Sequence, residues 1–122
     1  MSFTTAVSTC FGKYATFSGR ARRSEYWWFY LAFTLAVLVA VILAQAVGKL
    51  GIVLVLAVEL ALLLPALAVA VRRLHDTGRS GWWYLLSLIP FGGLVLLVFM
   101  VQDSQPGPNQ FGESPKPQFA LA

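Results

Sequence analysis

A chain of 122 residues with 58% hydrophobic and 11% charged side chains lies far below the roughly 25% charge of a soluble domain and fits one membrane domain. Its net charge of +4 would elsewhere suggest nucleic acid, but no soluble basic face exists to carry it, so nucleic acid is set aside as a partner.

Residues 1–19 come first. Phe3, Val7, Cys10, Phe11, Tyr14 and Phe17 recur at steps of three and four, the period of one helical face. This predicts a short amphipathic helix in the inner interface, ended by Ser18-Gly19; a soluble N-terminal tail is the alternative. Cys10 is the lone cysteine, has no partner for an intramolecular disulfide, and reads as an apolar filler.

Residues 20–101 read as the transmembrane domain. A bilayer crossing takes about 20 apolar residues, and three windows qualify, at about 26–47, 52–71 and 82–101. Ala44, Gln45 and Ala46 resemble a signal-peptidase site, but the preceding apolar run of about 18 residues exceeds the 7–15 of a signal peptide. The first window is therefore a retained helix. Gly48, Lys49, Leu50 and Gly51 form a tight turn that makes the first two spans an antiparallel hairpin. The third window holds Pro90, Gly92 and Gly93 near its middle. A kinked full span is the simpler reading; a re-entrant hairpin is the alternative, tolerated where protein or water covers its backbone. Residues 102–122, with Pro106, Pro108, Pro115 and Pro117, read as an extended Pro/Gly-rich tail. The fold class is thus an all-α membrane protein: three transmembrane helices, the third Pro/Gly-kinked, and an N-terminal interfacial amphipathic helix.

Basic residues of short loops stay cytoplasmic. Lys13, Arg20, Arg22 and Arg23 precede the first span, and Arg72, Arg73 and Arg79 lie between the second and third, against Lys49 and Lys116 on the other side. The N-terminus and the 72–81 loop are expected inside and, with three full spans, the C-terminus outside.

Small residues Ala32, Ala36, Ala40, Ala44 and Gly48 stand four apart, a stripe along which helices approach closely in lipid. It serves either the internal hairpin or a homo-oligomer or larger membrane complex; Ala57 with Ala61, and Ala66 with Ala70, offer shorter matching stripes. Two cytoplasmic segments resemble each other, FSGRARRSEYWWF at 17–29 and RRLHDTGRSGWWY at 72–84. Ser24 and Ser80 are placed to cap the following helices, and Trp27, Trp28, Trp82 and Trp83 suit the headgroup level. The bland reading is a repeated membrane-insertion device. The sharper one is a site: Arg20, Arg22, Arg23, Arg72, Arg73 and Arg79, with Glu25, His75 and Asp76 among them, converge on one face that binds anionic lipid headgroups or a partner through guanidinium forks. Asp76 is expected to pair with an arginine and close the Asp-Thr-Gly turn. One His, one Cys and scattered acids are too few for a metal, and no cofactor is implied. Glu59, the one ionisable residue inside a span, is a candidate proton or ion site, or is neutral and bonded to Gln45 or paired with Lys49. Pro65 removes the backbone hydrogen bond to Ala61 beside it.

Taken together, FSGRARRSEYWW, RRLHDTGRSGWW, LIPFGG and PGPNQFGESP, in that order over roughly residues 10–117, resemble the bacterial inner-membrane family catalogued as domain of unknown function 805. The resemblance implies a multi-pass protein of the bacterial plasma membrane and implies no reaction. Glu59 belongs to none of its motifs. The closing Asn-Gln-Phe-Gly element at 109–112 is expected to dock on something, with the arginine segments as hosts, which raises the re-entrant alternative beside the kinked full span. The expectation is a non-enzymatic scaffold or lipid- or partner-binding protein, with a small proton- or ion-coupled transporter using Glu59 as the alternative. An enzyme acting on lipid phosphate through His75 would need a positioned nucleophile and base that the sequence does not supply.

Overall fold

The computed structural model describes residues 2–115; Lys116 and the end of the predicted tail lie outside them. Four α-helices and one 3-10 helix carry the described chain: α1 (Phe3–Gly12), α2 (Arg23–Val47), α3 (Leu50–Asp76), the 3-10 helix (Gly81–Leu88) and α4 (Gly92–Val101).

Helix α1 starts where the Ser2 hydroxyl accepts the Thr5 N–H, an N-cap. It ends at Gly12, earlier than the expected Ser18-Gly19, and the chain then runs through a turn toward α2. Ala6 and Cys10 are its fully buried residues, while Phe3, Phe11, Tyr14 and Phe17 keep exposed surface. The small residues of α1 therefore sit at its contact with the hairpin, and its two aromatics, partly exposed, pack edge-on against α2, Phe3 on Trp28 and Phe11 on Phe29.

Helices α2 and α3 form the expected antiparallel hairpin, joined at Gly48 in a left-handed conformation. The alanine stripe lies at their contact: Ala40 is buried, Ala32, Ala36 and Ala44 are half-buried, and a Cβ on Gly51 would stand 2.6 Å from that of Ala44. The hairpin thus uses the stripe within the chain, whereas Ala57 and Ala61 are exposed. Pro65 sits inside α3 and donates no hydrogen bond to the Ala61 carbonyl; the Tyr14 hydroxyl donates to that carbonyl instead. This bond ties the segment after α1 to α3.

Both helices are long and apolar enough to cross a membrane. At 1.5 Å per residue they reach about 40 Å, against roughly 30 Å of hydrocarbon. Their outward side chains are bare, Ile42 at 60% and Leu60 at 68% exposed, a surface that water would not tolerate. Buried side chains gather at the other end of the hairpin, around Cys10, Ala21, Phe29 and Val69 and around Ala70, Leu74, Leu96 and Met100.

Two expectations need correction. The predicted 72–81 loop is helical through Asp76, because its charges are paired internally. The predicted third span at 82–101 is no single helix. The 3-10 helix turns at Pro90 and Phe91 and α4 returns beside it, with Trp83 packed edge-on against Phe99. Phe91 takes a left-handed φ of 65° in that turn. Each arm reaches only about 15 Å, half the hydrocarbon thickness. Both ends sit at the same end of the α2–α3 hairpin: Arg79 bonds Gln102 at 2.8 Å, and Arg23 bonds the Val101 carbonyl at 3.1 Å. Two short helices stand where one kinked helix was expected, and they bring residues 102–115 back to the end of the α2–α3 hairpin that carries residues 17–23, where three full spans would have put them opposite.

The two glycines of this turn differ. A Cβ on Gly92 would lie 1.8 Å from the Leu86 carbonyl oxygen, whereas one on Gly93 meets nothing within 4 Å. Gly92→Ala is expected to destabilise the protein by about 1–3 kcal/mol through overpacking, with Gly93→Ala near neutral, read as the shift in denaturation midpoint in detergent. Equal midpoints for the two variants would show that the arms do not pack as described.

Candidate functional site

Adjacent residues on a helix point about 100° apart, so Arg72 and Arg73 diverge from the last turn of α3 toward different partners. Both are 0% exposed.

Arg73 turns toward Asp76, three residues on, at 2.7 Å, and also donates to the Met100 carbonyl at 3.4 Å. Asp76 is equally buried and accepts from Arg20 Nε at 2.9 Å and from the Ser104 hydroxyl. Arg20 uses its whole fork. Beyond Asp76 Oδ1, its two NH2 hydrogens reach the carbonyls of Asp76 and Gln105, and its two NH1 hydrogens reach those of Gly107 and Gly112. Five donors meet five acceptors, the full capacity of a guanidinium. The expected pairing of Asp76 with an arginine is thus met twice.

Arg72 pairs with Glu25 at 2.5 Å and donates to the Thr16 carbonyl at 3.2 Å. Glu25 also accepts from the Cys10 thiol at 3.6 Å. Burial, reinforced by the Glu25 carboxylate, pushes that thiol from an ordinary value near 9 up to about 12, with Arg72 acting the other way. Cys10 is therefore an inert, protonated donor.

The Asp-Thr-Gly turn closes α3. Gly78 is left-handed, and the Arg79 N–H returns to the Leu74 carbonyl at 2.9 Å, as in a Schellman ending. His75 does not face Asp76. Its Nδ1 lies 2.9 Å from the Gly19 carbonyl, its ring stacks on Phe111 at 4.1 Å, and its own carbonyl accepts from Asn109. The Asn-Gln-Phe-Gly turn therefore docks on Arg20 and His75.

The remaining predicted residues lie outside this buried cluster. Arg79 bonds Gln102 and covers the Phe99 ring at 3.9 Å. Trp27 donates to the Met100 carbonyl, while Trp28, Trp82 and Trp83 are exposed, Trp82 at 78%. Ser80 caps the 3-10 helix. Ser24 caps nothing, because α2 begins two residues earlier than a Ser24 cap requires and Arg22 holds the cap position without a side-chain bond; the Ser24 hydroxyl and Arg22 Nε are buried and unpaired. Glu59 stands exposed on α3 with no bond to any described residue; Gln45 bonds the Val41 carbonyl instead. Sequence reading missed Ser104, Thr16 and the carbonyls of residues 105 and 107, which carry no signal beyond the neighbouring Gly and Pro; the Gly112 carbonyl belongs to the element expected to dock on the arginine segments.

A buried ion-pair lock at one end of a bare apolar hairpin defines a helical membrane protein. The chain belongs to the family described as "Protein of unknown function (DUF805)", whose sequence profile matches residues 14–113. Among its relatives, Inner membrane protein YhaH of Escherichia coli (strain K12) is 47% identical over 109 residues, covering 84% of this chain and 89% of that protein. Inner membrane protein YhaI of the same strain is 46% identical over 104 residues, covering 84% and 88%. No solved structure matches the chain.

Removing one partner of a buried pair costs about 3–5 kcal/mol. Asp76→Asn is expected to lose that much, and Arg20→Lys nearly as much, because an ammonium cannot reach five fixed acceptors; a wild-type denaturation midpoint for Arg20→Lys would reduce Arg20 to a point charge. Cys10 supplies a pH dependence. Its folded pKa is raised, so its contribution is complete below about pH 9 and is lost as pH climbs toward about 12. Stability should fall over that window more steeply in the wild type than in Cys10→Ala, measured by unfolding in detergent at two pH values.

Proposed function

We propose that the protein is a non-enzymatic component of the bacterial inner membrane that crosses it twice, through α2 and α3, and dips a re-entrant hairpin into the cytoplasmic leaflet. Its locked polar end presents a cationic, aromatic rim to anionic lipid headgroups. The bias of seven Lys and Arg on the segments at this end against Lys49 at the hairpin turn supports a cytoplasmic placement of the polar end, with the N-terminal segment and the tail up to residue 115 on that side.

The observation that carries the reading is the division of labour among the arginines. Arg20, Arg72 and Arg73 are buried and committed to partners inside the chain. Arg23 and Arg79 each use one nitrogen on a partner and keep the rest of the fork for a phosphate. Exposed Trp28, Trp82 and Trp83 stand on the same end, at the boundary where indole rings prefer to sit. The lipid-facing set is therefore Arg23, Arg79 and these tryptophans, with Arg22 and Lys13 nearby in sequence; Arg20, Arg72, Arg73, His75 and Asp76 hold them in position. The alanine stripe is assigned to the internal hairpin, and a homo-oligomer would use another face. Trp27 belongs with the positioning set through its bond to Met100.

Headgroup contacts of this kind contribute about 1 kcal/mol per cation. The double variant Arg23→Ala with Arg79→Ala should lose about tenfold or more of co-purifying anionic lipid, measured by lipid mass spectrometry, at unchanged expression and melting. Retention equal to the wild type sinks the reading. A compartment reporter fused after residue 115 is expected to report the cytoplasm.

A further inference from the structure

Two cavities of about 150 and 340 Å³ share three residues, Tyr26, Tyr30 and Tyr84, and lie between α2, α3 and the re-entrant arms. Each is many times the roughly 10–15 Å³ that one water needs. Along α2 the residues Arg23, Tyr26, Tyr30 and Phe33 follow at steps of three and four, the spacing of one helical face, and the rings of Tyr26 and Tyr30 stack at 6.2 Å. On that face Arg23 precedes the cavity-lining Tyr26 by one turn, its NH1 on the Val101 carbonyl beside Met100, which lines the larger cavity. Tyr26 and Tyr30 follow about 5 and 10 Å further along the axis, with Tyr84 across from them. Phe33, Leu63 and Leu67 line the deep end.

The groove is graded: a cation one turn before its first tyrosine, hydroxyls at the waist, hydrocarbon below. All three tyrosines line both cavities, and none of their phenol hydroxyls makes a hydrogen bond with a described residue. In a bilayer an unpaired hydroxyl is costly. Water would satisfy the hydroxyls but not the apolar walls below them. An acyl lipid does both, because its ester carbonyls accept hydrogen bonds at the depth where its chains begin.

We infer that one diacyl phospholipid seats lengthwise in this groove, its ester carbonyls accepting from the hydroxyls of Tyr26, Tyr30 and Tyr84, its phosphate at Arg23 and an acyl chain along Phe33 and Leu63. The inference rests on the placement of α2 and α3 in a bilayer and is independent of headgroup preference, since recognition lies in the esters.

The test uses the purified full chain in neutral detergent, titrated with ester-linked phosphatidylcholine or its ether-linked analogue, with bound lipid counted by native mass spectrometry. Arg23 belongs to both this site and the anionic rim, so the comparison holds the zwitterionic headgroup constant and varies only the ester. The wild type should retain the ester lipid about tenfold better than the ether lipid, the worth of one to two hydrogen bonds. The triple variant Tyr26→Phe, Tyr30→Phe, Tyr84→Phe should lose that preference while keeping its rings. Gly93→Leu tests the site by filling it, since Gly93 lines the larger cavity and its Cβ would stand in open space; retention of both lipids should fall. Equal wild-type retention of ester and ether lipid, or undiminished binding in Gly93→Leu, overturns the inference whether or not anionic lipid is preferred.

Discussion

Everything at the polar end depends on the carboxylate of Asp76. It is 0% exposed and accepts from Arg20, Arg73 and Ser104, which belong to three separate stretches of chain. Neutralising it would leave two buried guanidinium groups facing each other without an anion, an arrangement far costlier than the absence of the whole cluster. The three buried arginines exceed the two buried acids, Glu25 and Asp76, and Arg72 and Arg73 each keep one buried nitrogen without a partner. The carbonyl end of α3 lies within one turn of both and offsets part of this excess. The lock is therefore cationic as a whole, in keeping with the proposed contact with anionic headgroups.

A lock of this kind answers a problem that the bilayer creates. Between helices in lipid there is no hydrophobic drive, so α2 and α3 associate along small residues by close contact. That contact fixes the hairpin but says nothing about where α1, the re-entrant arms or the tail belong. Hydrogen bonds from one guanidinium to carbonyls up to 92 residues away are directional and supply that information. Arg20 collects the tail, Arg72 collects the turn after α1 through Thr16, and Arg73 with Trp27 collects the end of α4 through Met100. Each arginine thus positions one peripheral segment.

How much of this was legible in the sequence follows from what each signal measures. The hairpin was, because uninterrupted apolar windows, glycines at the turn and alanines at fourfold spacing are local patterns. The extent of α3 was not, since a hydropathy window counts Arg72, Arg73 and Asp76 as three charges and cannot see that they are paired. The third segment was half legible: LIPFGG marks a break, but its depth depends on Gly92 lying against the Leu86 carbonyl, a contact no window average contains. Among the arginines, composition showed the cluster and hid the partners. Arg20 and Arg23 look alike in sequence, and only the carbonyls that surround one of them make it internal.

The two prolines of the apolar segments show one rule applied in opposite ways. Each breaks the helical hydrogen-bond ladder, and at membrane depth the freed backbone groups must find new partners. At Pro65 the helix continues, and the orphaned Ala61 carbonyl takes the hydroxyl of Tyr14, so the break becomes an anchor that holds the segment after α1 against the span. At Pro90 the corresponding Leu86 carbonyl takes a backbone donor, the Ile89 N–H at 3.1 Å. The chain instead reverses, with the Gly92 N–H returning to the Ile89 carbonyl at 2.8 Å, and α4 travels back toward the lock. The returning arm places Met100 and Val101 where Arg73, Trp27 and Arg23 can bind their carbonyls, so the break at Pro90 and the lock at Asp76 require each other.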